Sequence, residues 1–212
     1  MVRGGSGSPR RTDEKDFEVI VVDSGSADRT LQIAESFQSK INLKIYKIKP
    51  NEFTYPYACN FAAQKASGDF LVYLSGHSVP INSEWLGNGL DNFKEERIAG
   101  IYGNIQPLPD ASIWEKIYYG FGFFKSKKII SKARIGVLGN TNSIIRKNLW
   151  QQHLFDEGLI KGGEDTAWAR YFLNKGYLIV RDPKFSVYHS HGLGLFKFLK
   201  QVRHWHKISK VA

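Results

Sequence analysis

DFEVIVVDSGSADRT, Asp16 to Thr30, is the stretch whose reading decides the fold. Phe17 to Val22 is a short apolar run rich in β-branched residues, which predicts a strand buried on both faces. The run stops at Asp23, and Ser24-Gly25-Ser26 is turn chemistry. Leu31, Ala34 and Phe37 follow at helical spacing, with Asp28 placed to cap the helix they form. A strand running through a polar turn into a helix opens an α/β unit, and such sheets bind ligands beyond the carboxyl ends of their strands. Asp23 stands at that end, an acceptor-only carboxylate suited to a base N–H or to ribose hydroxyls. Asp23 and Asp28 would serve equally to cap a turn, and spacing leaves both readings open.

Outward from this unit, strands and helices alternate. Leu43 to Ile48 alternates like a half-buried strand, and Tyr57 to Ala66 is Ala-rich and helical. Phe70 to Leu74 (FLVYL) is a second apolar strand, ending in Ser75-Gly76-His77-Ser78-Val79-Pro80. Glu84 to Arg97 reads as a helix, Ile98 to Ile105 as a strand, and Tyr177 to Val180 as another. This order predicts a mostly parallel sheet. Trp114 to Lys128 is aromatic and basic, and reads either as an acceptor-facing mobile segment or as a core helix. Lys161-Gly162-Gly163 precedes Glu164-Asp165 and an Ala/Trp run, which places both acids at a helix N-terminus. There the macrodipole favours the ionised form and would keep a base deprotonated.

The totals set bounds. At 212 residues, 42% apolar and 14% aromatic, the chain suits one globular domain with a sizeable core. A single cysteine, Cys59, excludes an internal disulfide framework and fits a reducing, cytoplasmic setting. No apolar run reaches the ~18 residues of a membrane span. The net charge of +10 favours anionic partners, namely a nucleotide diphosphate or an anionic membrane surface. Nucleic acid is set aside, because no helix-turn-helix, zinc-finger or RNP-like pattern is present. Residues 1–15, rich in Gly, Ser, Pro and Arg, read as a flexible linker-like tail, 16–194 as the main domain, and 195–212 as a basic amphipathic helix. In that helix Leu195, Phe198, Leu199, Val202 and Trp205 share one face, either against the domain or on a membrane at its inner side.

Four segments in order carry a resemblance: VDSGSADRT (22–30), ASGDFLVYLSGHSVP (66–80), FDEGLIKGGEDTAWARYFLNKGY (155–177) and VYHSHG (187–192). Together they resemble family 2 glycosyltransferases of the GT-A fold, with the flavour of bacterial rhamnosyltransferases and other cell-surface polysaccharide transferases. The resemblance implies a Rossmann-like α/β domain that transfers a sugar from a nucleotide-diphosphate donor to a glycan or lipid-linked acceptor, with inversion. It implies nucleotide contacts by Asp23, Ser24 and Asp28. Asp165 matches the general base on the acceptor hydroxyl, with Glu164 in support and Asn142 and Trp168 on the acceptor side. A sugar hydroxyl is a poor nucleophile until a positioned carboxylate takes its proton, so the roles suit the chemistry.

Two departures stand out. Where family members carry an Asp-X-Asp that holds a divalent cation (Mn²⁺ or Mg²⁺) on the diphosphate, this chain reads Ser75-Gly76-His77. A hard cation such as Mg²⁺ prefers oxygen ligands, so His77, with His191 and His189, points to Mn²⁺ or a softer metal, or to direct diphosphate contact by His77. The family's usual first strand and helix, ahead of the strand at Phe17, are also expected to be lacking. That opens a rival reading: a non-catalytic remnant that binds nucleotide sugar or a membrane surface.

Overall fold

The computed structural model describes residues 17–132 and 137–211. The predicted tail, 1–15, lies outside them. β1 (Val19–Asp23) leads through the Ser24–Asp28 turn into α1 (Thr30–Glu35), and β2 (Leu43–Lys47) returns parallel to β1. α2 (Tyr55–Lys65) starts where the Thr54 hydroxyl accepts the Tyr57 amide at 3.2 Å, with Pro56 in the first turn, where its missing N–H costs nothing. β3 (Phe70–Leu74), β4 (Val79–Pro80), α3 (Trp85–Leu90) with a 3-10 turn over Asp91–Lys94, β5 (Ile98–Tyr102) and β6 (Ile105–Gln106) follow. The predicted helix over Glu84–Arg97 is therefore shorter, and the predicted strand over Ile98–Ile105 is two strands. Gly103 lies between those two because a Cβ there would overlap the Phe185 carbonyl.

α4 (Ile113–Gly122), β7 (Lys128–Ile130), β8 (Asn142–Arg146), α5 (Lys147–Gln152), α6 (Glu164–Asn174), β9 (Leu178–Arg181), β10 (Val187–Tyr188) and α7 (Leu195–Val211) complete the chain. The main sheet runs β3-β8-β5-β9-β7, and a small one runs β4-β10-β6. The α/β architecture is as expected, but the sheet is mixed rather than mostly parallel. β8 runs antiparallel to both β3 and β5, and β7 is antiparallel to β9. β3, β5 and β9 consequently share a direction, and their carboxyl ends form one rim. Among the described residues β1 pairs only with β2, and β3 only with β8, so the sheet is interrupted between β1 and β3.

Glu18 ties the two parts across this break. Its carboxylate accepts the Ser67 amide at 2.6 Å, the Ser67 hydroxyl at 2.7 Å and the Lys44 ammonium at 2.9 Å. Burial alone would raise its pKa, but these hydrogen bonds and the Lys44 charge outweigh burial and hold it at about 2. The sheet is covered on both faces. Leu71, Ile145, Trp168 and Phe172 pack on one, and Trp85, Ile101, Ile144 and Phe185 on the other. Asn60 of α2 is a buried hub whose amide serves the Phe155 backbone N–H and C=O, the Trp150 indole and Glu157. α7 packs on α4 through Phe198 and Trp205, whose rings meet Tyr118 at 5.5 and 6.1 Å. Leu199, predicted on the same face, is exposed.

Candidate functional site

Asp23 ends β1 buried, with Oδ2 accepting the amides of Gly25 at 3.0 Å and Ser26 at 3.2 Å. Hydrogen bonding from Ser26, then from Gly25, keeps its carboxylate below the ordinary range against the opposing effect of burial. The turn needs Gly25, whose φ is +101° and whose added Cβ would strike Pro50. Asp28 is exposed and accepts the Thr30 amide at 2.9 Å, while Arg29 holds the N-cap position of α1. Ser24 lies half-buried between them. All three stand at the carboxyl end of β1, and both acids do shape the turn. Asp23 uses part of its acceptor capacity there and keeps lone pairs for a ligand.

The second group gathers at the end of β3. His77, His189 and His191 hold their ring nitrogens within 4.8 Å of one another. His189 and His191 follow the end of β10, and their Nε2 atoms lie 3.2 Å apart. Two nitrogens bound to one tetrahedral ion would stand about 3.3 Å apart. Ser75 Oγ contacts His77 Nδ1 at 3.2 Å, and Ser78 Oγ contacts His189 Nδ1 at 2.9 Å. Hydroxyls on the Nδ1 atoms of His77 and His189 leave ligation to their Nε2 atoms, as outer partners of metal-bound imidazoles do. Burial, then the neighbouring imidazoles, lowers His189 to about 4, and burial lowers His77 too, so both rings are neutral at pH 7. Three imidazoles without a carboxylate in the set fit zinc or a similar borderline ion and do not fit Mg²⁺.

The third group is the acid pair at the start of α6. Gly163 supplies the N-cap at φ 100°, and Glu164 and Asp165 fill the first turn as expected. Asp165 Oδ2 accepts the Asn140 amide at 2.8 Å, and Asn140 Nδ2 reaches Glu164 Oε1 at 3.3 Å. Glu164 Oε2 is buried without a hydrogen-bond partner among the described residues. Burial outweighs the macrodipole at this pair. Burial first, then the Asp165 charge, lifts Glu164 to about 7, and burial raises Asp165 as well. The turn holding Asn140 joins the second and third groups, since the Ser75 amide donates to the Thr141 carbonyl at 3.1 Å.

Two predicted acceptor-side residues are placed otherwise. Asn142 is buried, with Oδ1 accepting the Trp85 indole at 3.2 Å and Nδ2 donating to the Phe185 carbonyl at 2.6 Å. Trp168 is fully buried in the core, its indole donating to the His153 carbonyl. Both hold the fold, because each polar atom they carry is already matched inside it. Sequence reasoning also missed Glu115 and Asn140. Glu115 is buried and closes a capping box with Ser112, and its Oε1 accepts the His191 amide at 2.7 Å. The Ser-Ile-Trp-Glu spacing ahead of an apolar run was the signal for that box. Asn140 carried none, since an antiparallel strand brings it to α6.

The family model described as glycosyl transferase family 2 matches residues 8–154. The chain belongs to family 2 of the glycosyltransferases. Among family relatives, it is 26% identical over 204 residues to the dolichyl N-acetyl-α-D-glucosaminyl phosphate 3-β-D-2,3-diacetamido-2,3-dideoxy-β-D-glucuronosyltransferase of Methanococcus voltae, covering 89% of this chain and 61% of the relative. It is also 26% identical over 183 residues to the O-antigen chain rhamnosyltransferase RfbN of Salmonella typhimurium, covering 82% and 57%. The chain thus spans a little over half the length of these relatives. The mannosyltransferase of Pyrobaculum calidifontis, solved with GDP-Man and Mn²⁺, superposes with a TM-score of 0.68 at 15% identity, covering 92% of this chain and 55% of the other. That likeness carries the GT-A fold.

Proposed function

We propose that this chain forms the donor site and base of an inverting glycosyltransferase that moves a sugar from a nucleotide diphosphate to a hydroxyl of a glycan or lipid-linked acceptor. The observation that carries this reading is the Asn140–Thr141 turn, which bonds to the acid pair of α6 on one side and to the β3 end bearing His77 on the other. In this reading Asp23 binds the base or ribose, with Ser24 and Asp28 shaping its turn, and the histidines face the diphosphate. Asp165 takes the acceptor proton as the acceptor oxygen bonds to the sugar carbon and the diphosphate leaves from the opposite face. Glu164, lifted to about 7, is about half protonated beside Asp165 at neutral pH and tunes its basicity. A divalent ion held by His77, His189 and His191 would supply positive charge to the leaving diphosphate.

The relatives' names support the acceptor class, since one acts on a dolichyl phosphate-linked sugar and another on O-antigen chains. The acid pair, in place and perturbed, supports catalysis over a binding remnant. Peripheral contact with an anionic membrane, at its cytoplasmic face, fits the same reading. No helix of the described residues is long and apolar enough to cross a membrane. α4 and α7 nonetheless expose Trp114, Phe121, Phe196 and Leu199 beside the basic face of α7. The test is release of nucleoside diphosphate from a panel of UDP-, GDP- and dTDP-sugars. One donor turned over, and turnover cut at least 100-fold by Asp165→Asn with nucleotide binding kept, is the expected result. Turnover unchanged by Asp165→Asn would reject the assigned base.

A further inference from the structure

A cavity of 580 Å³ opens at the carboxyl ends of β5 and β9, lined by Tyr102, Phe124, Lys128, Lys132, Val137 and Arg181, among others. Strand register sets Tyr102 opposite Arg181, and Arg181 opposite Lys128. Lysines on an edge strand such as β7 are explained by protection of that edge. Arg181 is on an inner strand. Its guanidinium lies over the Phe124 ring at 4.8 Å, and its Nε is buried with no hydrogen-bond partner among the described residues. None of the ion pairs among the described residues involves Arg181, Lys128 or Lys132. Residues 116–155 contain neither Asp nor Glu, and the adjacent Asp182 spends its carboxylate on the Asn92 amide at 3.1 Å and the Lys184 N–H at 2.9 Å. A guanidinium has five N–H donors and nothing to accept, so a buried donor without a counter-charge is costly until an anion arrives. Burial pushes the Tyr102 hydroxyl up, opposed by the Arg181 charge, and it remains a neutral donor at the same wall.

The rim that carries this cavity also carries His77, because β3, β5 and β9 run in one direction. Three strand spacings separate the ends of β3 and β9, about 14 Å. That is a distance for the acceptor rather than for the donor's own diphosphate. We propose that the cavity is an acceptor subsite which holds an anionic group, a phosphate or a sugar carboxylate, through Arg181, Lys128 and Lys132. The inference rests on the transferase reading above for the word acceptor, and on the cavity alone for the anion.

Calorimetric titration with inorganic phosphate, and separately with glucuronate, tests it. One of the two probes is expected to bind, and which one binds tells phosphate from carboxylate. Arg181→Gln should weaken that binding at least tenfold. So should the Lys128→Gln/Lys132→Gln pair, whose exposed side chains are dispensable for folding. His77→Ala should leave it unchanged. No binding of either probe, binding indifferent to both cation variants, or binding lost only with His77→Ala would overturn the proposal. A parallel titration with nucleotides separates the two readings. Nucleotide binding together with probes indifferent to the cation variants removes the subsite and leaves the transferase reading intact. Probes lost with Arg181→Gln, in a chain that binds no nucleotide, keep the anion site and remove the transferase reading.

Discussion

Replacing Glu164 by Gln isolates the titration of the acid pair. An ordinary glutamate pKa of 4.5 stands against about 7 in the fold. At about 1.36 kcal/mol per pKa unit, that difference is worth about 3 kcal/mol. The sign follows from which state holds the proton. Between pH 4.5 and 7 the folded chain keeps a proton that the unfolded chain has released, so stability falls as pH rises through that window. Glutamine keeps the oxygen that accepts from Asn140 Nδ2. It places an amide where Oε2 lacked a partner, at a cost of about 1–2 kcal/mol. The variant should therefore be less stable than wild type at pH 4.5 and more stable by about 1–2 kcal/mol at pH 8. Urea unfolding followed by tryptophan fluorescence, at several pH values on both proteins, gives the difference curve. Titration of the histidines is common to the two proteins and cancels. A difference that stays flat within about 0.5 kcal/mol from pH 4.5 to 8 would refute the reasoning.

Other substitutions probe separate parts of the account. Asn60→Leu should cost about 3 kcal/mol or more in urea unfolding, because it strands the Trp150 indole and the Phe155 amide inside the fold. Glu18→Gln should cost about 2 kcal/mol at pH 7. With Glu18 held at about 2, below its ordinary 4.5, that stabilisation is full above pH 4.5 and disappears as pH falls towards 2. Unfolding curves at pH 7 and pH 3 check both parts. Zinc binding, followed calorimetrically at pH 7, should weaken at least tenfold with His189→Ala. Equal affinity in wild type and variant would remove the histidines as ligands.

Local pattern made much of the fold legible. The strand, turn and helix of residues 17–35, the strand Phe70–Leu74 and the start of α6 all follow from short-range periodicity and capping. Long-range pairing did not follow. The placement of β8 antiparallel between β3 and β5 decides that the sheet is mixed, and no local signal encodes it. The same strand buries Asn142 against Trp85 and carries Asn140 to Asp165, so one residue left the candidate site and another entered it. The acid pair shows the limit of a one-dimensional charge argument. A helix N-terminus favours a carboxylate by about 1 kcal/mol, and burial beside a second acid outweighs that. His189 and His191 were legible as a pair from their spacing just past a short strand, although that strand ends at Tyr188, whereas the supporting Glu115 lies 76 residues away from His191.

The central claim is a nucleotide-diphosphate site at the ends of β1 and β3. Calorimetric titration of UDP, GDP and dTDP, with and without a divalent ion, into wild type, Asp23→Ala and His77→Ala tests it directly. The account predicts one nucleotide bound by the wild type, with affinity lost in Asp23→Ala and with any metal dependence abolished in His77→Ala. A folded wild type that binds none of the three, or binds one of them equally well in both variants, would contradict it.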